Sequence, residues 1–335
     1  MSFCAGCGFS GSVSGSQPAW FPDSNRLVYV VTRGCHSELV EYDLASLHSH
    51  PLILKVPGGE PSTPAISPDG SRIAFSVAND AKGVTSDIYV AESTGQHPRK
   101  IFSDGYNNSR PVFSANGRAV IFVKSRVFTH YSPIVRPRLH EMDLDAIDLT
   151  TGTETPLTNY RAYQISSLAV NPKDGSIVAM VPGKMDPLWH CPLFTLTRFK
   201  WTPMRLEDPE ELRPNLSAFL ETDPWSVKWR NYYPWRDIYS VAFDARGHLY
   251  FLWPTTNAKT GYYDYETYRW DADTNRTQRV TNLHRMIEEV RPSPDGKWLA
   301  IPMDNRALHR WRAPRTSVYV YSIADGYLIE LPSNL

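Results

Sequence analysis

The sequence lacks several features that would point directly to one class of function. Lysine plus arginine and aspartate plus glutamate number 35 each, so no net field draws the chain to nucleic acid or to an anionic membrane. No run of about 18 apolar residues occurs, so the sequence predicts no transmembrane segment. Four cysteines in 335 residues are too few for a disulfide scaffold. Proline (27 residues) and tryptophan (10 residues) are abundant, which suits short strands, many turns and large apolar fillers.

The N-terminal cysteines leave several interpretations open. Cys4 and Cys7 form a C-x-x-C pair, which suggests a metal knuckle or a redox pair, but no second pair completes a four-thiolate zinc site. Gly8 stands where haem attachment requires histidine. Ala5-Gly6-Cys7, followed by a Gly/Ser-rich run, is similar to the remnant of a bacterial lipoprotein site, although no signal-peptide pattern precedes it. A chemically silent, flexible tail over residues 1–17 is the simplest interpretation.

The most informative feature of the sequence is an internal repeat. Each copy has a short apolar strand, a turn of the Asp-Gly or Asn-Gly type, and a second strand with alternating apolar residues. Proline presets φ for such a turn, Asp or Asn bonds its own backbone, and glycine takes the position with φ > 0. At Asp23-Ser24-Asn25 the glycine is absent, and we expect Asn25 to replace it. The copies are PAWFPDSNRLVYVV from Pro18, PAISPDGSRIAFSV from Pro64, PVFSANGRAVIFVK from Pro111, LAVNPKDGSIVAMV from Leu168, VAFDARGHLYFLW from Val241 and RPSPDGKWLAIPM from Arg291.

Two further strands complete most copies. A third strand of the form I-Y-V-x-D/E is followed by a shorter fourth strand, such as PLILKV in the first copy and RKIFSD in the second. In the fourth copy only the first two strands can be assigned. Four antiparallel strands repeated six times predict an all-β, six-bladed β-propeller in which each blade supplies its own fourth strand. The blades are expected at about 18–58, 61–105, 108–160, 166–236, 238–283 and 286–335.

The repeat combines three short motifs, P-x-W/F/I-S-P-D-G, I-A-F and I-Y-V. This combination resembles the repeat of TolB-like six-bladed propellers over roughly residues 18 to 335. The same repeat occurs in propeller domains of prolyl oligopeptidase relatives. This chain has no G-x-S-x-G nucleophile elbow, so serine peptidase activity is not expected. The resemblance implies a periplasmic or membrane-tethered protein, whereas the missing signal sequence also permits the cytoplasm. It is specific for fold and not for function.

Most repeat residues are predicted to be structural. Asp69-Gly70 and Asp295-Gly296 look like acidic-glycine calcium motifs, but their periodic recurrence indicates turn formers. Aromatic residues at strand positions are expected to fill the core rather than to contact a cofactor. These are Trp20, Phe75, Phe113, Phe122, Phe243 and Trp298.

Function is expected where the repeat is broken. Second-to-third strand connections emerge on one face of a propeller, and three of them are unusual. The blade 4 connection is predicted to be an insertion from Gly183 to Arg236, and its Asp208-Pro209-Glu210-Glu211 segment predicts a short helix. The connections of blades 3 and 6 are basic and, lying opposite each other, would share one funnel. They carry Lys124, Arg126, His130, Arg136, Arg138 and His140 in blade 3, and Arg306, His309, Arg310, Trp311, Arg312 and Arg315 in blade 6.

Arginine and aromatic side chains in these loops predict a binding face. Arginine offers a rigid fork for carboxylate or phosphate, and tryptophan offers a flat stacking surface. We therefore predict a non-catalytic binding or scaffolding propeller, without cofactor, that recognises a protein partner or an anionic ligand and not nucleic acid. Solvated arginines and tryptophans that merely pack the insertion are the plainer alternative. The predicted contacts are Arg126, Arg136, Arg138, Trp189, Arg306, Arg310, Trp311 and Arg312.

The alternative function is an enzyme, a metal-assisted lyase or hydrolase acting on an acidic carbohydrate or a lactone. Three imidazoles could converge on a transition metal, as in some propeller lyases of uronic-acid sugars. Only His48 and His50 have close H-x-H spacing, and they are expected on the opposite side, in a connection to an outer strand. No metal ligand is therefore predicted, and the candidates for the alternative are His130, His190 and His309, with His36 beside the same class of connection.

Overall fold

Strands account for almost all of the regular structure. The computed structural model describes residues 17–33, 36–57, 59–80, 83–130, 137–185, 192–220, 238–256, 263–304 and 316–332. Within these ranges the chain forms 24 strands and one short helix, and no helix there is long and apolar enough to cross a bilayer. The strands follow one another as six antiparallel repeats of four consecutive strands, and a parallel bridge between Ser86 and Asn107 joins repeats 2 and 3 into one eight-stranded sheet.

The chain divides into two compact units. The N-terminal unit comprises residues 1–164, 203–205 and 331–335, and the C-terminal unit comprises 165–202 and 206–330. Repeats 1 to 3 supply the N-terminal unit. Their strands are β1 Ala19–Trp20, β2 Arg26–Arg33, β3 His36–Asp43, β4 His48–Pro51, β5 Glu60–Ile66, β6 Arg72–Ala78, β7 Ser86–Glu92, β8 Arg99–Phe102, β9 Asn107–Phe113, β10 Ala119–Thr129, β11 Arg138–Asp148 and β12 Glu154–Pro156.

Repeats 4 to 6 supply the C-terminal unit as three four-stranded sheets. Helix α1 (Ser217–Leu220) follows repeat 4, and Phe219 packs edge-on against Tyr268 with ring centroids 4.9 Å apart. The strands are β13 Leu168–Val170, β14 Ile177–Met185, β15 Pro192–Thr202, β16 Arg205–Glu211, β17 Tyr239–Phe243, β18 Leu249–Thr256, β19 Tyr263–Asp271, β20 Arg276–Arg279, β21 Arg291–Pro292, β22 Trp298–Asp304, β23 Thr316–Ser322 and β24 Leu328–Glu330.

Apolar side chains from neighbouring repeats form the core of each unit. In the N-terminal unit, Phe75 stacks on Tyr89 and Phe102 lies against Phe122. In the C-terminal unit, Trp253 and Tyr268 are buried in one cluster. Of the aromatic residues predicted to be core, Trp20, Phe75, Phe113 and Phe122 are buried, and Phe243 and Trp298 are partly buried.

All six predicted hairpins are present, and their turns form for the predicted chemical reason. Asp69 Oδ1 accepts hydrogen bonds from the Ser67 hydroxyl (2.5 Å) and the Ser71 amide (3.1 Å), and Gly70 has φ 73°. The expectation for Asn25 is wrong, because Ser24 occupies the left-handed position at φ 59°.

The first strands carry bulges that the sequence did not reveal. Thr63 and Ser240 have φ of 46° and 45° beside register shifts in β5 and β17. In the N-terminal unit, the amide of Arg110 donates to Thr63 Oγ1 over 3.3 Å. In the C-terminal unit, the amide of Val290 donates to Ser240 Oγ over 3.0 Å. A hydroxyl on one repeat therefore bonds the backbone of the next repeat inside each unit.

Repeat 4 corrects the predicted insertion. Residues 192–211 form β15 and β16, so most of the segment from Gly183 to Arg236 that the structure describes completes a regular four-stranded sheet. The helix predicted at Asp208-Pro209-Glu210-Glu211 is wrong, because this segment lies in β16. An outer strand tolerates the missing amide of Pro209, and Asp208 at φ 49° is not helical.

Two smaller expectations about outer strands are also corrected. The fourth strand of repeat 1 is His48–Pro51, rather than the PLILKV segment, although the Leu52 amide still bonds the Leu39 carbonyl at 2.8 Å. His48 and His50 therefore lie within an outer strand and not in a connection to one. The predicted tail over residues 1–17 falls outside the described residues, except for Gln17.

Candidate binding surface on repeat 3

The structure describes only part of the predicted site. Arg126 and Arg138 lie in β10 and β11 of repeat 3, and His130 follows β10. The other predicted contact and metal residues lie outside the described residues. These are Arg136, Trp189, His190, Arg306, His309, Arg310, Trp311 and Arg312.

The basic segment predicted as a loop in repeat 3 is mostly a two-stranded ribbon. Lys124 pairs with Asp143, and Thr129 pairs with Arg138, so β10 residues 124–129 and β11 residues 138–143 form one antiparallel ladder. We call this pair of segments the ribbon. Strand β9 pairs with β10 only as far as Ser125, so the outer part of the ribbon continues past its inner neighbour.

Lys124 sits at the base of the ribbon among three carboxylates. Its Nζ lies 2.7 Å from Asp104 Oδ2, 2.8 Å from Glu154 Oε1 and 3.1 Å from Asp145 Oδ2. The Tyr106 ring centroid is 5.7 Å away. Burial opposes charge on Lys124, but its bonds to Asp104 and Glu154 outweigh that effect and raise the pKa of the lysine. Burial and the neighbouring Glu154 raise the pKa of Asp145 to about 6, against the opposing attraction of Lys124.

Arg126 is bound to a buried carboxylate that also organises a linker. Its Nη1 lies 2.6 Å from Asp143 Oδ2. Asp143 Oδ1 accepts hydrogen bonds from the Thr158 hydroxyl (2.9 Å), the Tyr160 amide (2.5 Å) and the Arg161 amide (3.4 Å). Asp143 is fully buried, so Arg126 supplies the charge that offsets it.

The same arrangement recurs inside the C-terminal unit. Glu266 of repeat 5 is fully buried, lies 3.2 Å from Arg279, and accepts hydrogen bonds from the Thr281 hydroxyl and the His284 amide. A carboxylate on a third strand thus holds the linker to the following repeat in both places. This recurrence gives the Arg126 pair a structural role that sequence reasoning missed. The signal was an acidic residue within the third strand of each of these repeats.

The outer part of the ribbon presents a different set of groups. The Arg138 guanidinium lies 4.7 Å from the ring centroid of Tyr163, and its Nη1 donates to the Tyr163 hydroxyl over 2.8 Å. Thr129 Oγ1 lies 2.9 Å from His140 Nε2, which ties the two strands together. Phe128 is 40% exposed, an unusual exposure for a phenylalanine within a strand. The outer ribbon therefore combines a stacked cation with an exposed apolar ring.

The histidine candidates are not assembled into a metal site among the described residues. No group of three or more histidine, cysteine or acidic side chains suited to a metal occurs in that part of the chain. His36 Nδ1 instead contacts Glu60 Oε1 at 3.0 Å. The candidates His190 and His309 lie outside the described residues.

Comparison with known proteins defines the fold and not the activity. No protein-family model matches the chain. No curated protein matches it in sequence either. Solved structures match along nearly the whole length. TolB from Acinetobacter baumannii is 14% identical, with 91% of this chain and 67% of that chain covered and a TM-score of 0.50.

Two further solved structures match equally well. An oligogalacturonate lyase in complex with manganese is 12% identical, with 93% of this chain and 75% of that chain covered and a TM-score of 0.52. The β-propeller domain of the Trilobed protease from Pyrococcus furiosus is 15% identical, with coverage of 94% and 82% and a TM-score of 0.51.

The consecutive four-stranded repeats and these likenesses define the chain as a β-propeller-fold protein. More narrowly, its fold is TolB-like, as the repeat motif implies. One of these neighbours is a lyase and another is a domain of a protease, so the fold does not select one activity.

Proposed function

We propose that this chain is a closed, six-bladed TolB-like propeller that acts as a non-catalytic scaffold and binds a protein partner through the ribbon of repeat 3. The observation that carries the proposal is the projecting ribbon, on which Phe128 is exposed and Arg138 is stacked on Tyr163. Ring closure is supported by the Tyr29 hydroxyl, which donates to the Pro332 carbonyl over 2.6 Å just after the last strand.

Arg138 is suited to a direct contact with the partner. A guanidinium carries five N–H donors in a rigid fork. Tyr163 holds this fork through the hydrogen bond from Nη1 to its hydroxyl and through the contact between the guanidinium and its ring. Because the side chain is already held, less conformational entropy is lost when it binds. Exposed Phe128 adds an apolar anchor on the same ribbon.

Arg126 is assigned a positioning role within the proposed site. Its pair with Asp143 fixes the base of the ribbon against the linker at Thr158–Arg161. The ribbon is thereby presented as a rigid element, and a preordered surface binds with a smaller entropic cost.

The two cations at the base of the ribbon are already paired with carboxylates. Lys124 and Arg126 together contact four of them, so the base of the ribbon is not an anion-binding site. A carboxylate of the partner is therefore expected at Arg138, further out on the ribbon. The four carboxylates are Asp104, Asp143, Asp145 and Glu154.

Site-specific photo-cross-linking in the native host tests the proposal. A photoreactive phenylalanine analogue replaces Phe128 in one variant and Ile53 in a control, and Ile53 is the more exposed side chain at 75% against 40%. The proposal expects one discrete protein adduct at position 128, weakened by Arg138→Ala, and none at position 53. Equal adducts at both positions, or none at position 128, would count against the ribbon. A small acidic carbohydrate consumed by the purified protein would instead support the lyase alternative.

A further inference from the structure

In three of the first hairpins, one side-chain oxygen at the turn accepts hydrogen bonds from a serine hydroxyl and from the amide two residues on. Asp69 Oδ1 accepts from a serine hydroxyl and from the amide two residues on. Asp295 Oδ1 does the same, from the Ser293 hydroxyl at 2.6 Å and the Lys297 amide at 3.1 Å. Asp23 Oδ1 accepts from the amide two residues on at 2.9 Å. In repeat 3 the acceptor is Asn116 Oδ1 instead of a carboxylate oxygen.

Asn116 reproduces this geometry with an uncharged amide. Its Oδ1 accepts from the Ser114 hydroxyl at 2.8 Å and from the Arg118 amide at 3.0 Å. Asn116 is exposed to solvent, and Gly117 follows it with φ 67°. The side chain thus occupies an aspartate position, with the same donors, and lacks only the charge.

An asparagine followed by glycine can lose its amide without an enzyme. The backbone nitrogen of Gly117 attacks Cγ of Asn116, a C–N bond forms, and the side-chain nitrogen leaves as ammonia. Water then opens the resulting succinimide and restores a peptide bond, through either the α-carbonyl or the side-chain carbonyl. The products are aspartate and isoaspartate, and the net reaction consumes one water and releases one ammonia. Glycine favours the attack because no Cβ blocks its nitrogen.

The folded turn holds both reacting atoms away from this attack. The Gly117 amide donates to the Ser114 carbonyl at 2.8 Å, and the Asn116 side chain is fixed by its two donors. Attack requires that these bonds break and that the backbone of Asn116 rotates. The reaction therefore proceeds from a locally opened turn, whose population is set by the free energy of opening.

We propose that Asn116–Gly117 is a deamidation site that is gated by opening of the β9–β10 turn, and that its aspartate product stabilises the closed turn. Hydrogen bonds to a carboxylate are stronger than those to a neutral amide. Cationic groups are close by, since Arg72 Nη2 donates to the Gly117 carbonyl at 2.8 Å and Arg118 is two residues on. The modification converts the Ser-Ala-Asn-Gly turn to the acidic type found in repeats 2 and 6.

The equivalent aspartate in repeat 2 supports an ionised product. Bonds from the Ser67 hydroxyl and from the Ser71 amide and hydroxyl lower the pKa of Asp69 to about 2. An aspartate at position 116 meets counterparts of the first two of these donors, and Arg118 stands where repeat 2 has Ser71, so we expect its pKa to be lowered as well. The isoaspartate product inserts an extra atom into the backbone, which breaks the spacing between Ser114 and Arg118, so it destabilises the turn.

The gating is tested by the rate of deamidation in folded and unfolded protein. The full chain is incubated at neutral pH in buffer and in concentrated urea, and the peptide containing Asn116 is followed by mass spectrometry. The inference expects a rate at least about tenfold lower in the folded protein, since each factor of ten corresponds to about 1.4 kcal/mol of opening free energy. An equal or faster rate in the folded protein would overturn it.

The effect of the product is tested by a mirrored pair of variants. Asn116→Asp should raise the thermal midpoint by about 2 °C at pH 7, and Asp69→Asn should lower it by a similar amount. At pH 2 the Asn116→Asp gain should shrink, because the carboxylate is then partly protonated. A lowered midpoint in Asn116→Asp at pH 7 would contradict the proposed stabilisation, even if Asp69→Asn behaves as expected.

Discussion

At the residue scale, buried carboxylates define the base of the ribbon. Asp143 and Asp145 are two residues apart on β11 and both are fully buried. Asp143 is offset by Arg126 and by three hydrogen bonds, whereas Asp145 shares Lys124 with two other carboxylates. The two acids therefore differ in how well their charge is compensated, and they should respond differently to substitution.

Removal of the Asp143 carboxylate should destabilise the protein strongly. Asp143→Ala leaves Arg126 without its partner and releases the bonds to Thr158 and Tyr160, so we expect a loss of about 3 kcal/mol. Urea unfolding measures this loss. Arg138→Ala is the control and should change the free energy of unfolding by at most about 1 kcal/mol, because Arg138 is exposed and loses only its contact with Tyr163. A loss below about 1 kcal/mol for Asp143→Ala would refute the anchor role.

Asp145 should make stability fall as the pH rises through the mildly acidic range. Its pKa in the folded protein, about 6, is above the ordinary value of 3.8, so the folded state binds the proton more tightly than the unfolded state. The stabilisation is complete below about pH 4 and is lost as the pH rises to about 6. Asp145→Asn removes this dependence, so the variant should gain stability relative to wild type between these values. A pH-independent difference between the two proteins would contradict this account.

At the element scale, the hairpin turns depend on left-handed backbone positions. Gly296 has φ 71°, and a Cβ there would lie 3.0 Å from Asp244 Oδ2 and 3.4 Å from the Tyr250 hydroxyl. Gly152 has nearly the same φ, 72°, but nothing lies within 4 Å of an added Cβ. Replacing Gly152 by alanine therefore measures the free-energy cost of the left-handed conformation alone. The same replacement at Gly296 adds the cost of steric crowding.

Substitution of these glycines should give two different losses. Gly152→Ala should cost about 1 kcal/mol for the left-handed conformation alone. Gly296→Ala should cost more, by about another 1 kcal/mol, because the neighbouring Asp244 and Tyr250 must shift. Thermal or urea unfolding of both variants measures the difference. Equal losses would show that the turn of repeat 6 accommodates a methyl group without strain.

The sequence predicts the strands of this fold well and its special sites poorly. Local turn chemistry and apolar alternation specify each hairpin, so all six were recognised. The helix prediction for Asp208–Glu211 is wrong because these residues suit the start of a helix as well as they suit a strand. The segment forms a strand because it pairs with β15, and the local sequence does not show that pairing. Likewise, Arg126 is predicted as a binding contact because its acidic partner Asp143 is remote in sequence and meets it only across the ladder.

At the scale of the whole molecule, the proposed ring closure has a consequence for cooperativity. A closed propeller places every repeat between two neighbours, so loss of one repeat exposes apolar surface on both sides. Asp143→Ala should therefore speed hydrogen exchange not only in repeat 3 but also in the buried strands β18 and β22. Mass-resolved exchange at neutral pH measures this. Unchanged protection in β18 and β22, with lost protection in repeat 3, would indicate independent units.

The most direct test of the central claim is the affinity of the partner that is cross-linked at position 128. Arg138→Ala should weaken that affinity by about tenfold to a hundredfold, the effect of losing a well-held interfacial arginine. Arg99→Ala, which removes an exposed arginine from outer strand β8, is the control and should leave the affinity unchanged. If both variants bind as the unmodified protein does, the ribbon is not the binding surface, and the proposed scaffold function fails with it.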